Sequence, residues 1–343
     1  MEAIIPAAGL GKRLRPLTFS GPKHLIKIAG KPILQWIIEH LKKLKIKDVV
    51  IVISKNSAKI IDYFGDGKDF GVNISYCYQE KAKGIADAIY KARDFVSNRF
   101  LVYLGDNIVF HDLSKFINFK GSAAILLAKV KHPNRFGVAE IKNGKIVRLV
   151  EKPKEYISDL ALVGVYGFTD EIFEIIEKLK ISWRSEIEIT DAIQKLIELN
   201  REVEYEIING WWKDTGTPED ILEANKFLLN NFIDNKILGK IENSDIKNKS
   251  YIEEDVIIKN SMIEGPVVIG RGTKIVNSHI GPYVSIGSYC EIVESKIKES
   301  VVLDNVIIKN ALLDNSLIGG FSQIEKGENW QKLIIGEYSY LIL

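Results

Sequence analysis

Two cations and two carboxylates stand in settings where they could handle a nucleotide. Arg13 and Lys23 follow the run Gly9-Leu10-Gly11-Lys12. Glycines at 9 and 11 remove the Cβ atoms that would keep a triphosphate from backbone N–H groups, and the two cations supply the positive charge. This is a phosphate loop in outline, although a plain glycine turn has the same composition. It is neither the dinucleotide fingerprint, which needs a third glycine opening a helix, nor a Walker loop, which needs Gly-Lys-Ser/Thr. Asp106 follows the apolar run Phe100–Leu104 in a Gly-Asp-Asn turn, and Asp214 stands in a second turn after Trp211 and Trp212. A turn aspartate commonly bonds its own backbone. A strand-end carboxylate facing a phosphate loop is also what Mg²⁺ requires, because that ion takes one or two carboxylates and completes its shell with water and phosphate oxygens.

Further polar groups lie at the ends of apolar runs. Gln79 ends one such run, with Gly84 just before the next helix, and its amide can donate to and accept from a pyrimidine edge. Glu151 and Lys152 end another; a carboxylate can hold sugar hydroxyls and an ammonium a sugar phosphate, although adjacent charges are more often simply solvated. Thr217, Pro218 and Asp220 read as the N-cap, first and third positions of a helix, which accounts for them without function. Capping leaves Asp214 unexplained.

The elements that must position these groups alternate. AIIPAA is a buried strand, and Ile33, Leu34, Ile37, Ile38, Leu41 and Leu44 recur at helical spacing. DVVIVIS is a strand, SAKIIDYF a helix and VNISYCYQ a strand. Such alternation predicts an α/β fold with a doubly wound, mostly parallel sheet, whose ligands gather at the carboxyl ends of the strands. NRFGVAEI and KIVRLVEKP read as neighbouring strands joined at Asn143-Gly144, and LALVGVYGF as a further strand. SEIEITDAIQKLIEL begins a helix with acidic residues near its start, as the helix dipole favours.

At 343 residues the chain suits two domains, expected at 1–235 and 236–343. A formal charge of +2 from 47 basic and 45 acidic residues gives no field that argues for nucleic acid or a membrane surface. Cys77 and Cys290 lie outside any metal-type spacing, so neither a disulfide framework nor a zinc site is expected. Met1 leads straight into the first strand and no apolar run reaches membrane-spanning length, which reads as cytoplasmic.

Taken in chain order, PAAGLGKRLRPLT with PK, YQEKAKG, LGDN, RFGV, VEKP, VGVY, EIEITD and WWKDTGTPED make the chain resemble the sugar-phosphate nucleotidylyltransferases, in particular the long form of the glucose-1-phosphate thymidylyltransferases. The resemblance spans the first two-thirds of the chain and implies a Rossmann-like nucleotidyltransferase domain. It implies that Ala8, Gly9, Gly11, Arg13 and Lys23 lie against the nucleoside triphosphate, that Gln79 and Gly84 read the base, and that Asp106 and Asp214 coordinate Mg²⁺. Asn107, Gly137, Glu151 and the backbone near Leu162 would hold the sugar, with Lys152 on its phosphate. The implied reaction takes dTTP and glucose-1-phosphate to dTDP-glucose and pyrophosphate. The thymidylyl pattern usually reads AGGxGTR, whereas Ala8 and Lys12 here depart from it toward the bacterial UTP-glucose uridylyltransferases. UTP therefore stays open as the nucleotide, with glucose-1-phosphate or N-acetylglucosamine-1-phosphate as the sugar; RLRPLT, DTGTPED and the C-terminal extension favour dTTP.

From about Tyr251 an aliphatic residue recurs every five or six positions: Ile258, Ile263, Ile269, Ile275, Ile280, Ile286, and so on to Ile324. That is the hexapeptide repeat of a parallel β-helix, about seventeen residues to the coil. The glycines of IGRG, IGPY, IGSY and LIGG are expected at corners that need positive φ. The resemblance makes the helix left-handed. Hexapeptide helices also build acetyltransferases, which makes a bifunctional enzyme an alternative. Such a site commonly needs a histidine base and extruded loops; His279 is the one histidine here, and the repeats show no long insertion. The role expected instead is a self-complementary surface for a homo-oligomer.

Overall fold

The computed structural model describes residues 1–114 and 116–343. By packing, the chain resolves into two compact units, each drawing on two stretches of sequence: Met1–Leu10 with Leu34–Asp214, and Gly11–Ile33 with Thr215–Leu343.

The first unit is built on a nine-stranded sheet. β1 (Glu2–Pro6) pairs in parallel with β2 (Asp48–Ile53) on one side and β4 (Arg99–Tyr103) on the other, and β3 (Asn73–Tyr78) extends the parallel block from β2. Helices α1 (Ile33–Lys43), α2 (Ala58–Phe64) and α3 (Ile85–Lys91) make the crossovers. Parallel neighbours need such crossovers, and the strands they cover read as continuous apolar runs, as β1, β2 and β4 do. On α1 the predicted stripe Ile33, Leu34, Ile37, Ile38 and Leu41 is buried; Leu44 is half-buried just past its end.

The other side of the sheet is antiparallel. β9 (Leu160–Thr169) runs against β4 and against β6 (Ala123–Lys129), and β7 (Gly137–Lys142) and β8 (Lys145–Glu151) form the expected hairpin. Its turn residues Asn143 and Gly144 have φ 50° and 74°, the left-handed pair that a two-residue hairpin favours. Helices α4 (Glu171–Lys178) and α5 (Ile189–Glu198) follow, then β10 (Val203–Ile207), parallel to β6. α5 begins at Ile189, so Glu186 and Glu188 precede it rather than occupying its first turn, where Asp191 stands. A short two-stranded ribbon, β5 (Asn107–Phe110) with β11 (Trp211–Asp214), closes the unit.

In the second unit α6 (Pro218–Phe232) starts with the predicted cap: Thr217 accepts from the Asp220 N–H and Asp220 accepts from the Thr217 N–H. Beyond it the chain winds as a parallel β-solenoid with three sheets of seven, seven and six short strands. Ile258 stacks on Ile275 and Ile275 on Ile292, seventeen residues apart, while Ile292 to Ile308 takes sixteen. These aliphatics are fully buried and form one continuous core. The expected reason for the corner glycines needs correction. Most corners with positive φ carry asparagine or another side chain, among them Asn243, Asn260, Asn277, Asn305 and Asn310. Asparagine tolerates that region through its short polar side chain. Of the glycines, Gly272 and Gly281 have positive φ, whereas Gly270 and Gly319 are required by close stacking: a Cβ on Gly270 would lie 2.6 Å from the backbone carbon of Gly287.

Candidate active site

The short ribbon puts two of the candidate carboxylates together. β11 runs antiparallel to β5 with Asp214 opposite Asn107, so Asp214 stands beside the turn that carries Asp106. Asn107 is buried and anchors this corner. Its Nδ2 donates to Asp106 Oδ1 at 3.0 Å, and its Oδ1 accepts from Trp212 Nε1 at 2.7 Å and from the Gly164 N–H at 3.2 Å. Gly164 must be glycine, since a Cβ there would lie 2.6 Å from Asn107 Cγ. Both aspartates are half-buried, as a pair of ligands open to a phosphate would be. Among the described residues no group of three or more metal-type side chains occurs. Two half-buried carboxylates suit Mg²⁺, which keeps water and phosphate oxygens in its shell, better than an ion that needs a protein cage.

A second cluster surrounds Glu151. Gly137 lies directly opposite it across the hairpin, and a Cβ on Gly137 would meet Thr190 Cγ2 at 2.5 Å, Glu151 Oε2 at 3.1 Å and Leu162 Cδ2 at 3.7 Å. Gly137, Glu151 and Leu162, widely spaced in sequence, therefore line one cradle with Thr190. Lys152 follows with φ 43°, a left-handed backbone uncommon for a long side chain, and its Nζ lies 3.9 Å from Glu151 Oε1. Arg184 enters from the segment before α5, with Nη1 at 3.0 Å from Glu151 Oε1 and 3.2 Å from Glu188 Oε1, and Nη2 at 3.2 Å from Glu186 Oε2. Burial raises the Glu151 carboxyl above the usual range and the Glu188 charge adds to this, while Lys152 and Arg184 oppose it. The buried Tyr166 phenol is likewise raised by burial, with smaller contributions from Glu151 and Asp106; both carboxylates thus act on the same ring.

Gln79 is buried at the end of β3, and its Nε2 donates to Gly84 O at 3.0 Å and Asp87 Oδ2 at 2.7 Å. Two acceptors around one atom identify it as the NH₂ and leave the amide oxygen to accept from a ligand. Gly84 has φ 101°, and a Cβ there would come within 2.5 Å of Ile187 O, so the turn requires glycine. Ala8 and Gly9 follow β1 in this same unit, Ala8 buried and Gly9 exposed.

Gly11, Arg13 and Lys23 belong to the second unit. Gly11 is left-handed at φ 59°, and a Cβ there would press on Thr18 Cγ2 at 3.0 Å and Lys23 Cβ at 3.4 Å. Its carbonyl accepts from Thr18 Oγ1 at 2.8 Å. Arg13 lies in the 3-10 turn Lys12–Leu14 and Lys23 in another, Lys23–Leu25.

Sequence reasoning missed Arg184, Thr190, Trp212 and Gly164. Arg184 had a weak local signal in its spacing to Glu186 and Glu188. Its contact with Glu151, and Trp212 reaching Asn107, cross distances in sequence that no periodicity encodes. Burial, followed by Lys43, drives the His40 imidazole down to about 4.

Comparison with known proteins identifies the family. The family model for nucleotidyl transferase matches residues 2–231. A glucose-1-phosphate thymidylyltransferase of Streptomyces griseus is 39% identical over 307 residues, covering 88% of this chain and 86% of that protein. The bifunctional protein GlmU of Methanocaldococcus jannaschii is 43% identical over 264 residues, 77% of this chain and 60% of its own length. A crystal structure from Bacillus anthracis, provisionally named a glucose-1-phosphate thymidylyltransferase and holding a sucrose, aligns with TM-score 0.64 at 38% identity over 69% of this chain and 98% of that one.

Proposed function

This chain belongs to the nucleotidyl transferase family, and from there we propose that it joins dTTP and glucose-1-phosphate to give dTDP-glucose and pyrophosphate. Sugar-phosphate nucleotidyl transfer is the activity of an enzyme with this family membership and these relatives; the choice of dTTP and glucose rests on the similarity to the Streptomyces griseus protein along 88% of the chain. The observation that carries the reading is the pairing of Asp214 against Asn107 beside Asp106, with a separate cradle at Gly137, Glu151 and Leu162.

In this reaction an oxygen of the sugar phosphate attacks the α-phosphorus of the nucleotide in line. The bond to the β-phosphate breaks, and pyrophosphate leaves with the electron pair. A phosphate oxygen is already ionised at neutral pH, so the protein supplies positioning and charge neutralisation rather than a base. Asp106 and Asp214 would hold Mg²⁺, which neutralises charge on the reacting phosphoryl group. Ala8, Gly9 and Gly11 would bring backbone to the triphosphate, and Arg13 and Lys23 would hold it. The Gln79 amide oxygen would accept from the base imide N–H, on the turn that Gly84 permits. Glu151 would accept from sugar hydroxyls, Asn107 would donate its remaining Nδ2 hydrogen to one, and the Gly137 and Leu162 backbones would lie against the ring. Lys152 would hold the sugar phosphate, and Arg184, beside it on Glu151, supplies a second cation there.

Residues 1–235 would carry the chemistry and 236–343 a supporting role, including self-association into a homo-oligomer; light scattering that finds a monomer at micromolar concentration would remove that part. Among the described residues no helix is long and apolar enough to cross a membrane.

The reading is tested by pyrophosphate release with Mg²⁺, each of five nucleoside triphosphates being offered glucose-1-phosphate and N-acetylglucosamine-1-phosphate. Preference for dTTP with glucose-1-phosphate supports it. Preference for UTP would favour the second reading, a uridylyltransferase, for which the 43% identity to the Methanocaldococcus jannaschii protein and Ala8 both speak. No release from any pair would overturn both. An acetyltransferase half draws less support. The coils step by sixteen to eighteen residues without an extruded loop among the described residues, and His279 pairs with Glu264 on a half-exposed face.

A further inference from the structure

The segment that carries Arg13 and Lys23 is packed as part of the β-solenoid's compact unit. Its far end is a two-residue hairpin in which Lys27–Ile28 pairs with Lys31–Pro32 around Ala29 and Gly30, at φ 45° and 84°. Ile28 and Ala29 are buried, so the tip is a plug rather than a free loop.

Two solenoid coils and helix α6 grip it, and a third coil braces the helix. Lys27 Nζ lies 2.7 Å and 3.0 Å from the two carboxylate oxygens of Asp304, both side chains being mostly buried. The Ala29 N–H donates to Asn225 Oδ1 at 2.8 Å; that oxygen also accepts from Ser285 Oγ at 2.6 Å, and Asn225 is 1% exposed. Gly30 is pressed against Val268, whose Cγ1 would lie 2.9 Å from any Cβ at that position. A buried asparagine in a helix interior costs stability unless its polar atoms are satisfied, and here the hairpin and the solenoid satisfy them together.

The grip is connected to the phosphate-binding cations by short covalent paths. Lys23 lies four residues before Lys27, in a turn closed by the Ile26 N–H on Lys23 O at 3.1 Å, and the Ile33 N–H returns to Ile26 O at 3.1 Å. Farther back in the segment, Gly336 of the solenoid packs on Pro16, whose carbonyl oxygen would lie 2.9 Å from a Cβ there. Val268, Ser285, Asp304 and Gly336 all lie beyond residue 231, where the family match ends.

We propose that the β-solenoid positions the phosphate-binding segment of this chain, with Asp304 and Asn225 as positioning residues that act on Lys23 and Arg13 through the Lys27–Pro32 hairpin. The proposal rests on Arg13 and Lys23 holding the triphosphate. The solenoid is therefore part of how this protein sets its affinity for the nucleotide. A loosened hairpin leaves the cations present but free to move, and small misplacements of this kind are costly in rate.

The test uses the full chain with Lys27→Met, Asp304→Asn, their double variant and Lys27→Arg as the conservative control. Asp304→Asn keeps an acceptor for the Ser288 N–H, which bonds Asp304 Oδ1 at 2.8 Å, so the coil itself survives. Hydrogen exchange of residues 11–33 should quicken by about tenfold in each single loss variant, with residues 34–214 unchanged. The KM for the nucleoside triphosphate should rise about tenfold while the KM for the sugar phosphate stays within about twofold. Lys27→Arg should behave as wild type, and the double variant no worse than either single one. Unchanged exchange in residues 11–33 would overturn the clamp, and equal rises in both KM values would reduce it to general support of the fold. Wild-type protein inactive on every substrate pair would sink the proposed reaction, while the exchange measurement would still decide whether the solenoid holds the hairpin.

Discussion

Arg184 and Glu151 face each other at 3.0 Å, and the arginine bonds Glu188 at the same time. Without Glu151 the guanidinium still has two carboxylates; without Arg184, Glu151 keeps Lys152 as its nearby cation among the described residues. The pair is therefore asymmetric, and it ties the proposed sugar cradle to the charge that a sugar phosphate would meet there.

Glu151 sets one pH dependence. Its carboxyl is raised, so it is protonated in the folded protein at a pH where the unfolded chain has already lost the proton. Its contribution to stability is present at low pH and is lost as pH rises from the unfolded value through the folded one. Activity moves the other way, because a protonated carboxyl accepts fewer sugar hydroxyls. The acid limb of kcat/KM for the sugar phosphate should sit above the ordinary carboxylate range. Arg184→Gln should move that limb further up and weaken sugar-phosphate binding by about tenfold or more. A limb that Arg184→Gln leaves in place would break the link.

Asp106→Asn and Asp214→Asn should each lower kcat by about a hundredfold or more while leaving the circular dichroism spectrum unchanged, and excess chelator should abolish turnover in the wild type. Near-normal turnover in either variant would remove that residue from the metal site.

Gly164→Ala should push Asn107 away from Asp106, because the added methyl group meets the Asn107 amide within van der Waals contact. A drop in melting temperature together with a fall in kcat of about tenfold or more is expected. Steady-state kinetics and thermal unfolding on the same preparation check it.

His40 should contribute an acid sensitivity unrelated to catalysis. Its pKa of about 4 lies below the ordinary 6.5, so between those values the unfolded chain binds a proton that the folded one refuses. Stability should fall as pH drops through this window, by at most about 1.4 kcal/mol per pH unit from this residue. His40→Gln should flatten that part of the curve, as urea unfolding from pH 7 to pH 4 would reveal.

Much of the architecture was legible along the chain. The apolar runs of β1, β2 and β4, the helical stripe from Ile33 to Leu41, the Asn143-Gly144 hairpin, the Thr217 cap and the aliphatic ladder from Ile258 to Ile324 are all patterns between near neighbours, and near neighbours determine local backbone. The same reading assigned the corner glycines to positive φ, and there it reached its limit. Gly270 and Gly319 are needed because the next coil passes within contact, seventeen residues away. Tertiary structure alone decided that Asp214 lies opposite Asn107, that Arg184 turns back onto Glu151, and that a hairpin near the N-terminus is gripped by Asp304. Each contact joins residues more than thirty positions apart, in one case 277. Local pattern determines which elements form; which of their side chains meet depends on how whole faces pack, and that is settled only when the core closes.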